Sequence, residues 1–484
     1  EVVAQMPLNP DYILPEVVAQ MPHWQLVEDC YLGQQAIMAK GKIYLPDPSP
    51  MDEDEAVKHQ RYQDYQKRAV FYNATRRTAN AMAGMVFAKY PTLDIPPELE
   101  RIKTNVDGGI LSLVGQARQA FLMLLLKGRG GLLADYPYVP SDEYKPTKAQ
   151  VKKFNYVPKI RLFEPEHIIN WRVEPINNAN KLTLLVLKES YLKSDDGFKA
   201  EYGEQLIVYR WIDGVVHHSL YQKDGVWREV QSDVLDGITD IPFAFFGSND
   251  NDETMDDSPL YDLAVLNLAH YRNAADYEEG NFIAGQPSLF ITGLTKEWVT
   301  DIVNQGHPIR LGARTANILG SGSNAFLLQA SANSGLYQAL QDKKDQMVAL
   351  GARLIEPNGS TKTATEAQSE KADETSVLAT LANNLSDAYS RVLNRCANFL
   401  SINHECTMAL NTKFDSTKMS PQERQQLISE WQAGAITWGE MRARMVDDEI
   451  AYIEDDELAK AEIESELGYE EINQPRTPES QAGE

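Results

Sequence analysis

The residues of this chain that most often carry chemistry are few, and they lie far apart in the sequence. The cysteines are Cys30, Cys396 and Cys406, an odd number without a CxxC pair. A disulfide framework or a zinc cluster is therefore not expected, and folding in a reducing cytosol is the better interpretation. His217 and His218 lie in a strand-like segment, where an ordinary surface or core role is far more common than metal ligation.

No sequence motif of a catalytic site is present. The sequence contains no GxxxxGK[ST], HExxH or GxSxG pattern, so a P-loop motor, a zinc protease and a serine hydrolase are not indicated. Gly320 and Gly322 lack the third glycine of a nucleotide-binding fingerprint and are better interpreted as part of a turn. The adjacent carboxylates Glu278 and Glu279 cannot be assigned to catalysis without a pocket. The sequence therefore predicts no enzyme, no cofactor and no metal site.

The composition is that of a large acidic protein. Its 484 residues are 43% hydrophobic, which is enough for two to four domains, and its formal net charge is −24. Half of that charge lies near the end: residues 445–484 hold fourteen Asp or Glu and two Lys or Arg, so −14 + 2 = −12. Such a segment is typically a solvated face or a flexible tail. An acidic surface does not hold nucleic acid by neutralising phosphates, although an acidic wall can enclose a duplex that slides.

The sequence favours a soluble protein that is not secreted. The longest strongly apolar run, Ala120 to Leu126, is too short for a bilayer and ends at Lys127. The opening residues EVVAQMP, which recur at 16–22, have neither the basic nor the apolar region of a signal peptide. No longer repeat is present, so a solenoid is not expected.

Apolar residues at helical spacing predict several long helices. They cover Glu55–Val86, Ile110–Leu126, Ser258–Gly280, Leu336–Leu354 and Ala364–Leu400. The helix that begins at Ser258 is apolar on several faces, so it needs neighbours on more than one side, and those neighbours could be other subunits. Two capping boxes, Ser420 with Glu423 and Thr437 with Glu440, begin two shorter helices near the end of the chain. The chain after Gly468 is expected to be disordered.

The region 160–245 has the sequence of a small antiparallel meander. Short runs rich in β-branched and aromatic residues alternate with turn residues. Asp213-Gly214 and Asp224-Gly225 each separate two such runs, which predicts two hairpins with type I′ turns.

Several segments, taken in order, resemble those of tailed-bacteriophage portal proteins, the head-to-tail connectors. The resemblance covers about residues 23–466. Its first part is carried by WQLVEDCYLGQQAIMAKGKIYLP at 24–46, KRAVFYNATRRTANAMAGMVFAKYP at 67–91 and GRGGLLADYP at 128–137. Residues 241–268 resemble the portal order of an Ile-Pro-Phe strand, a polar loop and a helix that opens with Ser-Pro-Leu. Residues 267–275, QPSLFITG at 286–293 and WQAGAITWGE at 431–440 resemble later portal segments.

The resemblance implies an α+β, predominantly helical subunit of a ring, typically of twelve chains, around a central channel. The implied regions are an N-terminal arm and wing at 1–180, a β-rich clip with flanking stem at 181–257, a stem helix at 258–285, a second part of the wing at 286–402, a helical crown at 403–470 and a disordered acidic tail at 471–484.

Two sets of residues would then contact other molecules. A tunnel loop at 356–364, between two helices, would face DNA with small polar groups and one lysine: Asn358, Ser360, Thr361, Lys362 and Thr363. The clip would present aromatic and imidazole side chains to a partner protein: Tyr209, Trp211, His217, Tyr221 and Trp227.

The resemblance also implies partners and a location. The chain would bind its own copies, double-stranded DNA without sequence specificity, a terminase, head-completion or tail-adaptor proteins, and major capsid and scaffold proteins, with no membrane. It would lie at one capsid vertex of the virion, after assembly in the cytoplasm of the host bacterium, as the channel for DNA packaging and ejection. Two other classes stay open. A capsid-associated scaffold or adaptor without a channel would differ in native mass and shape, and a DNA-processing enzyme would need a nucleotide motif or metal cluster.

Overall fold

The computed structural model describes residues 9–48, 54–136, 158–235, 237–286, 288–297, 299–300, 322–328, 334–352, 364–412, 414, 421–447, 450–453 and 455–463. Residues 1–412 and residues 413–484 form two compact units. The helices of the first unit are α1 (Pro15–Leu32), α2 (Gln34–Ala39), α3 (Glu55–Arg68), α4 (Ala74–Val86), α5 (Arg101–Thr104), α6 (Leu113–Lys127), α7 (Tyr261–Ala284), α8 (Ser334–Met347) and α9 (Ala364–Phe399).

The strands also belong to the first unit. They are β1 (Thr92–Asp94), β2 (Arg129–Asp135), β3 (Lys159–Phe163), β4 (Ile168–Ile176), β5 (Ala179–Asp195), β6 (Ala200–Ile212), β7 (Val215–Asp224), β8 (Val226–Leu235), β9 (Phe243–Gly247), β10 (Ser288–Thr292), β11 (Asn324–Leu328) and β12 (Thr407–Ala409). The mixture of helix and strand confirms the predicted α+β class.

Five strands form the predicted antiparallel meander, in the order β4-β5-β6-β7-β8. Asp213 and Gly214 join β6 to β7 with φ values of 50° and 90°, the positive values that a type I′ turn requires at both central positions. The second predicted type I′ turn is wrong. Asp224 pairs with Val226 within the ladder, and only Gly225 between them, at φ 73°, has a left-handed backbone.

The meander also contains a two-residue turn that the sequence did not indicate. Asn177 and Asn178 connect β4 to β5 with φ values of 51° and 63°. Asparagine tolerates the left-handed region because its short side chain forms local hydrogen bonds, so it substitutes here for the expected glycine.

A three-stranded sheet in the order β3-β2-β9 lies beside the meander. Its central strand, β2, contains Gly130 and Gly131 directly after Arg129. A Cβ on Gly130 would lie 2.2 Å from Cζ of Phe246, and one on Gly131 would lie 2.0 Å from Cζ of Phe243. The glycines therefore let the phenylalanine rings of β9 pack directly against the backbone of β2.

The main apolar cluster joins the meander, the three-stranded sheet and α1. Its fully buried members include Trp24 of α1, Leu133 of β2 and Leu187 of β5. One face of the meander is thereby fixed to the body of the first unit.

Helix α7 packs against α1, α3, α4 and α8 of the same chain. These neighbours cover Leu263, Leu268 and Tyr271, which are all buried, whereas Val265 is 42% exposed. Contact of this helix with other subunits, which the sequence suggested as one possibility, stays a prediction. The helix begins at Tyr261, three residues later than expected, because Ser258 forms a preceding turn in which its Oγ accepts from Leu260 N at 3.1 Å. Gly280 does not end the helix, which continues to Ala284.

The predicted helix at 55–86 is two helices in the structure. Ala69 is extended, and α4 restarts behind Asn73, whose side chain accepts a hydrogen bond from Arg76 N at 2.9 Å. Helix α6 follows its prediction closely: Ser112 caps its start by accepting from Gly115 N, and Gly128 ends it in the left-handed conformation.

The long helix predicted at 364–400 is confirmed as α9. Its predicted apolar face is buried against β2, β9, α4 and α6 from Leu381 onward, whereas Val377 is 56% exposed. Helix α8 agrees with the prediction for 336–354 as far as Met347, where a π-type turn over Val348–Ala352 replaces it.

The second unit contains α10 (Pro421–Gln432) and α11 (Trp438–Asp447). The predicted capping box at Thr437 is confirmed: Glu440 N donates to Thr437 Oγ1 at 3.2 Å, and Thr437 N donates to Glu440 Oε2 at 2.7 Å. Gly434, at φ 73°, follows the end of α10 as expected.

Some predicted features lie outside the described residues. They are the tunnel-loop residues Asn358, Ser360, Thr361, Lys362 and Thr363, the cap Ser420, and the tail after Gly468.

Candidate functional site

The five residues predicted to bind a partner protein lie on opposite faces of the meander. Tyr209 and Trp211 belong to the cluster that joins the meander to the body. Tyr221 and Trp227 belong to a smaller cluster on the other face, and His217, opposite Arg210 in the ladder, shares that second face. The structure therefore brings these residues into one sheet but not onto one surface.

The first pair is engaged within the chain. Tyr209 is 4% exposed, and burial raises the pKa of its phenol. The indole of Trp211 donates to Thr239 O at 3.0 Å, and Lys181 Nζ lies 4.6 Å from the centre of its ring. Tyr209 is therefore buried in this conformation, and the half-buried Trp211 is held by contacts within the chain.

The second face keeps more freedom. His217 and Trp227 are half-buried, whereas Tyr221 is 7% exposed. Lys223 Nζ lies 5.3 Å from the centre of the Trp227 ring, and the buried indole nitrogen has no hydrogen-bond partner in the part of the chain that the structure describes. Of the five predicted residues, Trp211, His217 and Trp227 are half-buried, and of these His217 and Trp227 lie on the face that does not join the body.

A buried arginine fixes the loop that leads from the sheets into α7. Arg129, at the start of β2, is 1% exposed, and its guanidinium donates to the carbonyl oxygens of Glu253 and Thr254. Burial lowers the pKa of Arg129 to about 10, and nearby Asp256 opposes that effect. Its burial and its contacts could not be predicted from the sequence, in which Arg129 is only an arginine between two glycines.

The same loop is tied to α9 by two amide side chains. Asn251 Nδ2 donates to Asn384 O at 2.8 Å, and Asn384 Nδ2 donates to Gly247 O at 2.9 Å. Movement of the loop 248–257 is thereby coupled to β9 and α9.

Helices α7 and α8 pack together, and a short antiparallel hairpin, β10 with β11, lies between them in the sequence. Phe290 and Phe326 are directly opposite in this hairpin, with ring centres 5.7 Å apart and planes at 12°. They are 44% and 50% exposed. This aromatic pair is a candidate contact surface that was not predicted from the sequence. It is recognised only in the structure, because both phenylalanines are exposed and the two strands that carry them pair.

His270 is a titratable residue of α7 close to Lys343 and Lys344 of α8. Burial lowers its pKa, and the positive charges of Lys343 and Lys344 lower it further. Its Nδ1 is buried and has no hydrogen-bond partner among the described residues. The neutral imidazole is the form that this site favours.

Within the described residues, no group of His, Cys, Asp and Glu side chains has the arrangement of a metal site. One depression there, of about 260 Å³, is lined by Arg161, His167, Lys188 and Glu189 among others. The three cysteines are buried free thiols, as the sequence predicted, and burial raises the pKa of Cys30 to about 12. These buried thiols are unreactive and do not provide a nucleophile. The depression is open and charged, so it does not enclose a substrate. No described helix has the length and apolar character needed to cross a membrane.

Comparison with known proteins gives one family match and two informative solved structures. Residues 259–400, which contain α7, β10, β11, α8 and α9, match the family named "Domain of unknown function (DUF4055)". No curated protein matches the chain.

The two solved structures are distant in sequence. A chain from the neck of an empty GTA particle, computed with C6 symmetry, is 14% identical, with 85% of this chain and 97% of that chain covered and a TM-score of 0.43. A portal protein of an HK97 family phage from Corynebacterium diphtheriae is 11% identical, with 71% and 96% covered and a TM-score of 0.31. The second of these structures is a portal protein, the family that the sequence segments resemble.

Proposed function

We propose that the chain is a structural subunit of a phage portal, the ring at one capsid vertex through which double-stranded DNA is packaged and ejected. The observation that carries the proposal is the order of portal-like segments in the sequence, together with the elements that two of them form. Residues 241–268 contain strand β9, a polar loop and the start of α7, and residues 286–293 contain β10.

The charge of the protein suits a sliding channel. A net charge of −24 disfavours tight binding to phosphates, and a non-specific channel needs no groups that read bases. The tunnel loop at 356–364 is the proposed DNA contact, with Lys362 as its cation. It lies between α8 and α9 in the sequence.

Two surfaces are proposed to receive partner proteins such as a terminase and a head-completion or tail-adaptor protein. In the clip proposed at 181–257, the proposed contact with a partner protein lies on the face of the meander that carries His217 and Trp227. The stacked pair Phe290 and Phe326 is a second proposed contact, because an exposed aromatic pair in a short hairpin can fill a partner's pocket.

The experiment that tests the proposal is native mass spectrometry of the purified chain, followed by negative-stain imaging. A ring of twelve subunits has a mass of about 650 kDa, from 12 × 54.4 kDa. Rings of eleven to thirteen chains with a central hole support the proposal. Monomers or dimers alone, under gentle conditions at every concentration, contradict it.

A capsid-associated scaffold or adaptor without a channel is the alternative. It predicts open or elongated assemblies in the same images. A DNA-processing enzyme is less favoured, since the sequence lacks a nucleotide motif and the described residues lack a metal site.

A further inference from the structure

The far end of helix α7 is held differently from the rest of the helix. The buried residues of α7 end at Ala275, and each residue from Asp276 to Ala284 is exposed or half-buried. Gly280 lies within this stretch and weakens the helix locally, because glycine loses more backbone entropy than any other residue when it is fixed. Apolar burial therefore does not account for the order of these last turns.

Helix α3 contacts this end of α7 through two polar pairs, one helical turn apart. Tyr65 Oη donates to Asp276 Oδ1 at 2.6 Å, and Arg68 Nε donates to Glu279 Oε2 at 3.1 Å. On each helix the two residues are three positions apart, so both pairs lie along one line of contact. The side chains of Arg68 and Glu279 are 25% and 15% exposed, so this ion pair is partly shielded from solvent and salt.

Arg68 also contacts α7 beyond the glycine. Its Cζ lies 4.1 Å from the centre of the Phe282 ring, which is the geometry of a cation–π contact. The same guanidinium thus holds α7 on both sides of Gly280, at Glu279 and at Phe282. We call Arg68 with these two partners the clamp, because it spans the position at which the helix is weakest.

The hairpin of β10 and β11 begins and ends at this part of α7. Strand β10 starts at Ser288, four residues after the end of α7, and α8 follows β11. In the first turn of α8, the ring centre of Tyr337 lies 6.1 Å from that of Tyr277. A Cβ on Gly280 would lie 4.0 Å from Cδ1 of Leu336. Both ends of the segment that contains the hairpin therefore rest on the turns of α7 that the clamp holds.

We infer that Arg68 is a positioning residue for the aromatic pair Phe290 and Phe326. By holding the last turns of α7 it fixes the base of the hairpin, and hence the direction in which the pair faces. The inference rests on the contact proposed for this pair, but not on the ring. An aromatic pair that already faces its partner loses less conformational entropy on binding than one on a moving hairpin.

The test measures the distance between the hairpin and the body of the full-length chain by pulsed electron paramagnetic resonance. Spin labels are placed at two introduced cysteines, Leu327→Cys on β11 and Arg118→Cys on α6. Both positions are exposed, whereas the three native thiols are buried and stay unlabelled. Labelled chain is diluted with unlabelled chain, so that each measured distance lies within one chain. The clamp predicts a single, narrow distribution of distances.

Substitutions in the clamp should broaden that distribution in a graded order. Arg68→Ala should broaden it about twofold, because the ion pair and the cation–π contact are both lost. Arg68→Lys keeps the charge opposite Glu279 but lacks the planar group that lies on Phe282, so its width should be intermediate. Lys58→Ala is the matched control, since it removes another ion pair of α3, with Glu55 at 2.9 Å, outside the clamp.

A distribution that is already broad in the wild type, or that stays narrow in Arg68→Ala, overturns the positioning role. A lower melting temperature of Arg68→Ala with an unchanged distribution also overturns it, because Arg68 would then act on stability alone. These outcomes leave the proposed function standing. A wild-type chain that never forms rings contradicts the proposed function and leaves the distance measurement unaffected.

Discussion

The guanidinium of Arg129 lies 4.6 Å from the centre of the Trp171 ring, at the point where the meander meets the three-stranded sheet. On its other flank the same group lies 4.4 Å from the centre of the Phe245 ring. A permanently charged side chain is thus held between two aromatic rings, and its hydrogen bonds fix the loop before α7.

Replacing this arginine should destabilise the first unit. Arg129→Leu removes the hydrogen bonds to the carbonyls of Glu253 and Thr254 and leaves those oxygens without a donor, a loss of about 2–4 kcal/mol. Arg129→Lys should recover only part of that loss, because an ammonium lacks the planar group that stacks on Trp171. Thermal unfolding measures the stability of both variants. The control is Arg228→Leu, since Arg228 on β8 is exposed. An Arg129→Leu protein as stable as the control would show that the loop does not depend on this residue.

Two glycines should respond to alanine in opposite directions. Gly128 has φ 73°, and a Cβ there would lie 2.4 Å from the carbonyl oxygen of Asp257, so Gly128→Ala should cost about 3 kcal/mol or more. Gly84, within α4, has no atom near its Cβ position, so Gly84→Ala should stabilise by about 0.5–1 kcal/mol through helix propensity. Melting temperatures of the two variants should move to opposite sides of the wild-type value. Equal changes in melting temperature for the two variants would contradict the close approach of Asp257 to Gly128.

The sequence predicted the elements better than their contacts. The meander, α6 and α9 follow from local patterns, namely strand-like runs between turn residues and apolar residues at helical spacing. Contact with other subunits was expected around α7 because periodicity shows that a face is apolar but not what covers it; α1, α3, α4 and α8 cover it.

The faces of the meander show a second limit of local patterns. Tyr209 and Tyr221 look equivalent in the sequence, yet the register places them on opposite faces. Arg129 could not be identified as a buried centre, because its carbonyl partners lie more than 120 residues away. Contacts of that separation depend on how the sheets and helices assemble.

Acid should destabilise the packing of α7 with α8 through His270. Its pKa is lower in the folded chain than the ordinary 6.5, so the unfolded chain binds the proton more strongly. Stability should therefore be complete above about pH 6.5 and fall as the pH drops from there toward the folded pKa. His270→Gln, which cannot be protonated, should reduce the change in melting temperature between pH 7 and pH 5. His59→Gln on the exposed face of α3 is the control, and an equal reduction in both variants would remove the assignment to His270.

The last prediction concerns Lys362, the cation of the proposed tunnel loop. If this loop lines the channel, a ring of twelve chains carries twelve such charges close to the duplex, and each exposed contact with a phosphate is weak and quickly exchanged because salt screens it. Lys362→Glu replaces them with twelve carboxylates, which should repel the duplex at the narrowest point. The expected result is rings of normal mass with reduced packaging or retention of DNA in phage that carry the substitution.

The control is Lys103→Glu, a charge reversal on α5 of the first unit. An ordinary connecting turn at Lys362 predicts that both variants package DNA as the wild type does. Unchanged packaged DNA and unchanged infectivity for Lys362→Glu would therefore reject the lumen assignment, while the ring itself, measured by native mass, would stand. Loss of the ring in Lys362→Glu would instead place this residue between subunits, because a charge reversal in a lumen affects DNA and not assembly.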